Sequence, residues 1–320
     1  MEGRACPKLD CLAPRIASPL LHLLVGKTVI PKTVMKTQNP YPSISTFAKA
    51  LAVILVAGSP TIASAQTIDL GKPLPESLKP DILYFNFDEV QGTAVSSGIL
   101  GGIDATIEAG TVTAPPTPAD GLSIWFKKAM EFNYGAPEAS PEVPNATIQG
   151  NYVKVPTAPE LNLEGQSFTM GAWVKVLAEG NDLPENSTKY ILGKGGYNKD
   201  VPGWAFVLQK RSANRWVLLF QHSSGQGAET ESAVVGWMKS FTTDVWHHIA
   251  LSYNHEANTL LFYLDGISID PSPFEPFRIG ASTNLLLVGE RGVAHYGTMR
   301  VAMDEVFIVS GVHELVPPAL

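Results

Sequence analysis

Beyond residue 11 the sequence contains no cysteine; Cys6 and Cys11 are its only two among 320 residues. No disulfide can form within the body of the chain, and no thiolate can serve there as nucleophile or metal ligand. Cation excess is missing too. Residues 66 to 320 hold 16 Lys/Arg against 28 Asp/Glu, a formal charge of -12, while residues 1 to 65 hold seven against two. So acidic a body has no surplus of cations to neutralise phosphates, so no nucleic-acid partner is expected. No apolar run approaches the roughly 20 residues that cross a bilayer, so no membrane insertion of the mature chain is expected either. A sustained 3.6-residue apolar stripe free of Gly and Pro is also absent, and helices should be few. Finally, the carboxylate pairs Asp88-Glu89 and Asp304-Glu305 are adjacent in sequence, so in a strand each pair diverges to opposite faces. A glycosidase needs two carboxylates converging on one bond, and the domain reads as non-enzymatic.

A processing signal is present. Met35-Lys36 opens a polar stretch ending at Lys49, the apolar run Ala50 to Ala57 follows, and Gly58-Ser59-Pro60 precedes Ala63-Ser64-Ala65. Basic, apolar and small-residue segments in this order form a bacterial-type secretory leader. Residues 35–65 are therefore expected to be a signal peptide cleaved near Ala65, with residues 1–34 upstream of the natural start. The mature chain should be secreted, or periplasmic to extracellular. Pro73, Pro75 and Pro80 mark residues 66–80 as an exposed linker. Residues 81–312 then form one domain, and 313–320 a truncated or altered tail.

Within that domain the apolar pattern has period two. Phe168, Met170, Ala172, Val174 and Val176 alternate with their neighbours, as do Trp204, Phe206 and Leu208, then Ile249, Leu251 and Tyr253, then Leu260, Phe262 and Leu264. Such alternation sends one face of each strand into a core. Asp265-Gly266 has the residue types of a two-residue hairpin turn, whose central positions take positive φ. Strand-like runs recurring to about Val309 predict an all-β sandwich of two antiparallel sheets. His247 and His248, being adjacent in a strand, face opposite sides and cannot share a metal ion.

Several segments in order resemble the LamG-like jelly-roll family, the concanavalin A-like domains related to laminin G and pentraxin modules. Phe87-Asp88-Glu89 with Gly92-Thr93 resembles its opening strand. Phe168-Thr169 with Ala172-Trp173-Val174-Lys175 is similar to its F-T-x-x-A-W-V-K signature. Trp246-His247-His248-Ile249-Ala250 with Tyr253, Leu260 to Tyr263 and Asp265-Gly266 resembles W-H-H-V-A-x-x-Y followed by L-x-x-Y-x-D-G, and Met303-Asp304-Glu305-Val306 its closing strand. The resemblance implies a jelly-roll sandwich. It also implies a binding module for extracellular carbohydrate or, alternatively, for an extracellular protein; a glycan-active enzyme is a distant third.

The resemblance further implies a structural calcium ion where the first and last strands meet, with Asp88 and Asp304 offering hard oxygen ligands. The bland alternative is that both aspartates cap turns. For sugar binding the chemistry requires exposed rings beside polar hydrogen-bonding groups, because a pyranose stacks its C-H face while its hydroxyls need partners. Tyr197 and Trp204 in and beside one Gly-rich loop, and Arg291 and Tyr296 in another, are the candidate ligand-binding residues. Trp173, Trp216 and Trp246 are expected to pack in the core.

Overall fold

The computed structural model describes most of residues 67–317; the larger stretches outside the described residues are 97–103, 110–115, 122–126, 134–149, 178–182, 197–199, 227–230 and 291–298. The upstream segment and the leader, residues 1–65, fall outside them as well. The described residues all belong to the compact unit Thr61–Leu320. In chain order the early strands are β1 (Thr67–Asp69), β2 (Leu83–Phe85), β3 (Val90–Gln91), β4 (Ala94–Ser96), β5 (Asp104–Glu108) and β6 (Thr117–Asp120). Next come β7 (Lys128–Phe132), β8 (Tyr152–Val155), β9 (Phe168–Val176), β10 (Thr188–Lys194), β11 (Gly203–Ser212), β12 (Arg215–Ser223) and β13 (Glu231–Met238). The last are β14 (Trp246–Asn254), β15 (Thr259–Leu264), β16 (Ile267–Ile269), β17 (Leu286–Val288), β18 (Val301–Ser310) and β19 (Glu314–Val316). The helical element among the described residues is one 3-10 turn, Pro159–Asn162, and no helix there is long and apolar enough to cross a membrane.

Two antiparallel sheets carry the fold, as the period-two pattern predicts. The nine-stranded sheet runs β13-β12-β11-β10-β17-β8-β5-β4-β3, and the eight-stranded sheet runs β16-β15-β14-β9-β18-β7-β6 with β2 paired to β18. Their inward faces meet in one core. Phe168, Met170, Ala172, Val174 and Val176 of β9 face Trp204, Phe206 and Leu208 of β11, joined by Ile249, Leu251, Phe262, Phe220 and Phe132. Each fully buried Val, Leu, Ile, Met or Phe side chain among them contributes roughly 1.5–3 kcal/mol. Asp265 and Gly266 take φ of 52° and 76°, the positive values the hairpin between β15 and β16 needs.

The expected linker is not one. Ile68, Leu70, Leu74 and Leu78 are buried and pack with Trp173, Tyr263, Phe307 and Leu315 on the outer face of the eight-stranded sheet. β1 pairs in parallel with β19, Ile68 opposite Leu315, and the Leu70 amide donates to the Val316 carbonyl at 3.1 Å. The domain thus extends over 67–316 rather than 81–312, and 314–316, expected in a tail, form a strand. Apolar residues set among prolines at irregular spacing carry no period, which is why a strap of this kind reads as a linker in sequence.

At the edge leading to the site, β13 turns Val234 and Met238 inward. Between them lies Gly236, where a Cβ would stand 2.5 Å from the Phe262 ring. Glycine lets Phe262 of the opposite sheet press against the β13 backbone. The chain leaving β16 crosses this gap: Gly236 bridges to Pro271, and the Ser272 amide donates to the Val235 carbonyl at 2.7 Å.

Candidate functional site

Trp204 is not a ligand-facing ring. Its indole is fully buried in the core, stacked on Phe220 at 6.4 Å, and its N-H donates to the Leu161 carbonyl at 2.9 Å. Its alternation with Phe206 and Leu208 puts it inside, and that phase outweighs its place beside a Gly-rich loop. The neighbouring inward residue Lys194 is capped by the Ser282 and Asn284 carbonyls at 3.0 and 2.6 Å. Tyr197, Arg291 and Tyr296 lie outside the described residues.

Asp88 and Asp304 meet different fates. Asp88 accepts the Lys128 amide at 3.0 Å. Asp304 is fully buried; its Oδ1 accepts the Glu305 amide at 2.8 Å, and its Oδ2 has no partner. Burial, then the neighbouring charges of Glu305 and Asp88, push its carboxyl up to about 9, so it carries a proton at neutral pH. Glu305, at φ 48° where β18 slips register against β9, takes the Tyr84 hydroxyl at 2.7 Å. It also takes the Leu74 amide of the strap at 3.3 Å. Among the described residues no group of three His, Cys, Asp or Glu is arranged to hold a metal. Calcium takes roughly six to eight oxygens, so Asp88 and Asp304 would have to be joined by carbonyl or water oxygens to hold it.

A better site lies between the end of β13 and the β15–β16 hairpin, in an open cavity of about 420 Å³. Trp237, Leu264, Ile267 and Ile269 supply its apolar walls, and Lys239, Ser240, Asp265, Ser268 and Asp270 its polar ones. Trp237 follows Gly236, so the alternation that turns Gly236 in turns Trp237 out, and it is 43% exposed. The Arg215 guanidinium sits over the indole at 4.4 Å from its centre and steadies it.

Behind the hairpin wall, three groups form a hydrogen-bond chain. The Thr242 hydroxyl is 3.0 Å from His247 Nε2, and His247 Nδ1 is 2.8 Å from Asp265 Oδ2. The Thr242 amide also donates to Nε2 at 3.3 Å, which assigns the lone pair to Nε2 and the proton to Nδ1. The order is that of a hydrolase triad, yet the imidazole lone pair is aimed at the amide of the same threonine, so the ring closes a turn rather than activating a free hydroxyl. Asp265 is bound further: Oδ1 accepts the His248 amide at 2.8 Å, and its own amide donates to the His248 carbonyl at 2.8 Å. His248 points the other way, as adjacent strand residues must. It is buried against Trp173 at 5.4 Å, and burial holds its imidazole down at about 3, so it stays neutral.

The family model described as the concanavalin A-like lectin/glucanases superfamily matches residues 147–314, more than half of the chain. The chain belongs to that superfamily. A comparison with curated proteins gives no match. Among solved structures, the binding domain of Paraclostridial Mosquitocidal Protein 1 has 15% identity and a TM-score of 0.49, over 74% of this chain and 50% of that one. A structure of botulinum neurotoxin type C, whose cell entry depends on interaction with two ganglioside molecules, has 11% identity and a TM-score of 0.49, over 73% and 48%. The chain spans about half the length of these structures.

In this concanavalin A-like domain the residues behind the resemblance are mostly scaffold: Trp173 is buried and Trp246 packs partly buried against its cluster, while Trp216 is buried in the main core. Trp237, Lys239 and Asp270 carry no motif. The signal available was phase, since in Val234-Val235-Gly236-Trp237-Met238 an inward Val234 and Gly236 leave Trp237 outward.

Proposed function

We propose that the domain is a non-catalytic binding module whose ligand is an extracellular carbohydrate held at the cavity beside Trp237. The carrying observation is an exposed, steadied indole set among hydroxyl, carboxylate and ammonium groups in one cavity. A pyranose would stack its C-H face on the ring while Ser240, Ser268, Asp270 and Lys239 meet its hydroxyls. Catalysis has less support: the Asp265 carboxylate is held by His247 and the His248 amide, and a lone Asp270 does not make a carboxylate pair. The leader-like segment before Gln66 supports export, which places the module where extracellular glycans are met. A protein-binding role is the second reading, favoured by Ile267, 68% exposed on the edge strand β16.

A glycan array, run with and without EDTA, tests the reading. Binding of a defined glycan class that falls about ten- to a hundred-fold in Trp237→Ala is the expected result. Glycan binding untouched by that substitution would place the site elsewhere, and no glycan binding at all would leave the protein-binding reading in its place.

A further inference from the structure

We infer that His247 is the positioning residue of the cavity, the side chain that holds its two walls together; this rests on the cavity being the ligand site. One wall is the chain leaving β13 through Lys239 and Ser240, the other the hairpin turn with Asp265. His247 bonds to both. Its Nε2 meets the Thr242 hydroxyl and amide at 3.0 and 3.3 Å, two residues past Ser240, and its Nδ1 meets Asp265 at 2.8 Å. Phe241 packs on the imidazole at 4.6 Å between ring centres.

The two walls depend on the imidazole unequally. Asp265 is pinned to the His248 backbone by two further hydrogen bonds, so the hairpin turn keeps its place without the ring. The other wall is tethered behind Ser240 by Phe241, packed on Trp216 at 4.6 Å, and by Thr242 on His247. Removing the imidazole frees Thr242 and loosens the stretch that presents Lys239 and Ser240, next to Trp237. Neutral imidazole suits this post because it donates at one nitrogen and accepts at the other. Glutamine is the substitution that keeps one donor and one acceptor on a single side chain.

His247→Ala and His247→Gln, made in the otherwise unaltered protein, test the assignment with two readouts. The first is acrylamide quenching of Trp237, taken as the difference between each protein and its Trp237→Phe counterpart. The second is titration with cellohexaose, xylohexaose and N-acetylchitohexaose. His247→Ala is expected to change Trp237 quenching by about twofold and to weaken the bound hexaose by about tenfold, with His247→Gln recovering most of both. The inference is overturned if His247→Ala merely lowers the melting temperature while quenching and affinity stay put, or if glutamine does no better than alanine. If quenching responds as expected and no hexaose binds, His247 keeps its positioning role and the carbohydrate reading is what fails.

Discussion

Trp204 and Trp237 stand on the same nine-stranded sheet, β11 and β13 being separated only by β12. Trp204 is sealed between the sheets with its N-H bonded to a carbonyl; Trp237 is 43% exposed, its indole under Arg215. Both are tryptophans near a glycine in a strand of alternating pattern, and what separates them is which phase of the alternation each occupies. The interior of this domain is a place of full burial, where even charge is taken in, whereas the β13 edge leaves an aromatic ring available to something else.

The comparison breaks most readily at Trp204. Trp204→Ala should lower stability by about 3–5 kcal/mol through lost burial and the cavity left behind, read by denaturant melts. A loss below about 1 kcal/mol would mean that the interior has no special standing.

Lys189 sharpens the interior side. It is fully buried in β10, over the Phe132 ring at 5.7 Å, with no hydrogen-bond partner for its Nζ. Burial lowers its ammonium from 10.5 to about 8, against a smaller opposing pull from Glu290. A depressed folded value means that the unfolded chain binds the proton more tightly. The stability tied to this group is therefore present above about 10.5 and lost as pH falls through about 8. Lys189→Met should stabilise the domain at pH 7 by about 1–4 kcal/mol. It should also flatten the rise in stability between about pH 8 and 10.5. Equal pH profiles for the two proteins would show that the lysine finds solvent or a partner.

The smallest effect belongs to the edge. Trp237→Ala should change stability by only about 0.5–1 kcal/mol, the worth of its contact with Arg215, in contrast to its effect on ligand. A loss as large as that of Trp204→Ala would make the edge an extension of the core and remove the distinction between the two rings.

Much of the scaffold is legible in sequence because a strand's two faces alternate with period two. Phe168 to Val176, Trp204 to Leu208, Ile249 to Tyr253 and Leu260 to Leu264 point inward as their spacing predicts, and the Asp265-Gly266 turn takes its positive φ values. The strap over 67–78 is not legible, since Ile68, Leu70, Leu74 and Leu78 follow no period and their partners lie more than 90 residues away at Trp173, Tyr263 and Phe307. Trp204 belongs to the core because the phase of its strand, and not its proximity to a Gly-rich loop, decides where it points.

What the sequence determined alone was the class of the fold, the inward set of each long strand, the opposed faces of His247 and His248 and the acidity of the body, all of which follow from local periodicity and residue chemistry. What only the tertiary structure decided was which strands lie at an edge and what they meet there. Gly236 admits Phe262 from the other sheet, the chain after β16 crosses to β13, and His247 reaches Thr242 and Asp265 together. The cavity beside Trp237 exists because the edges of two different sheets, β13 ending at Met238 and β16 beginning at Ile267, are drawn together, and a contact of that kind leaves no trace in local pattern.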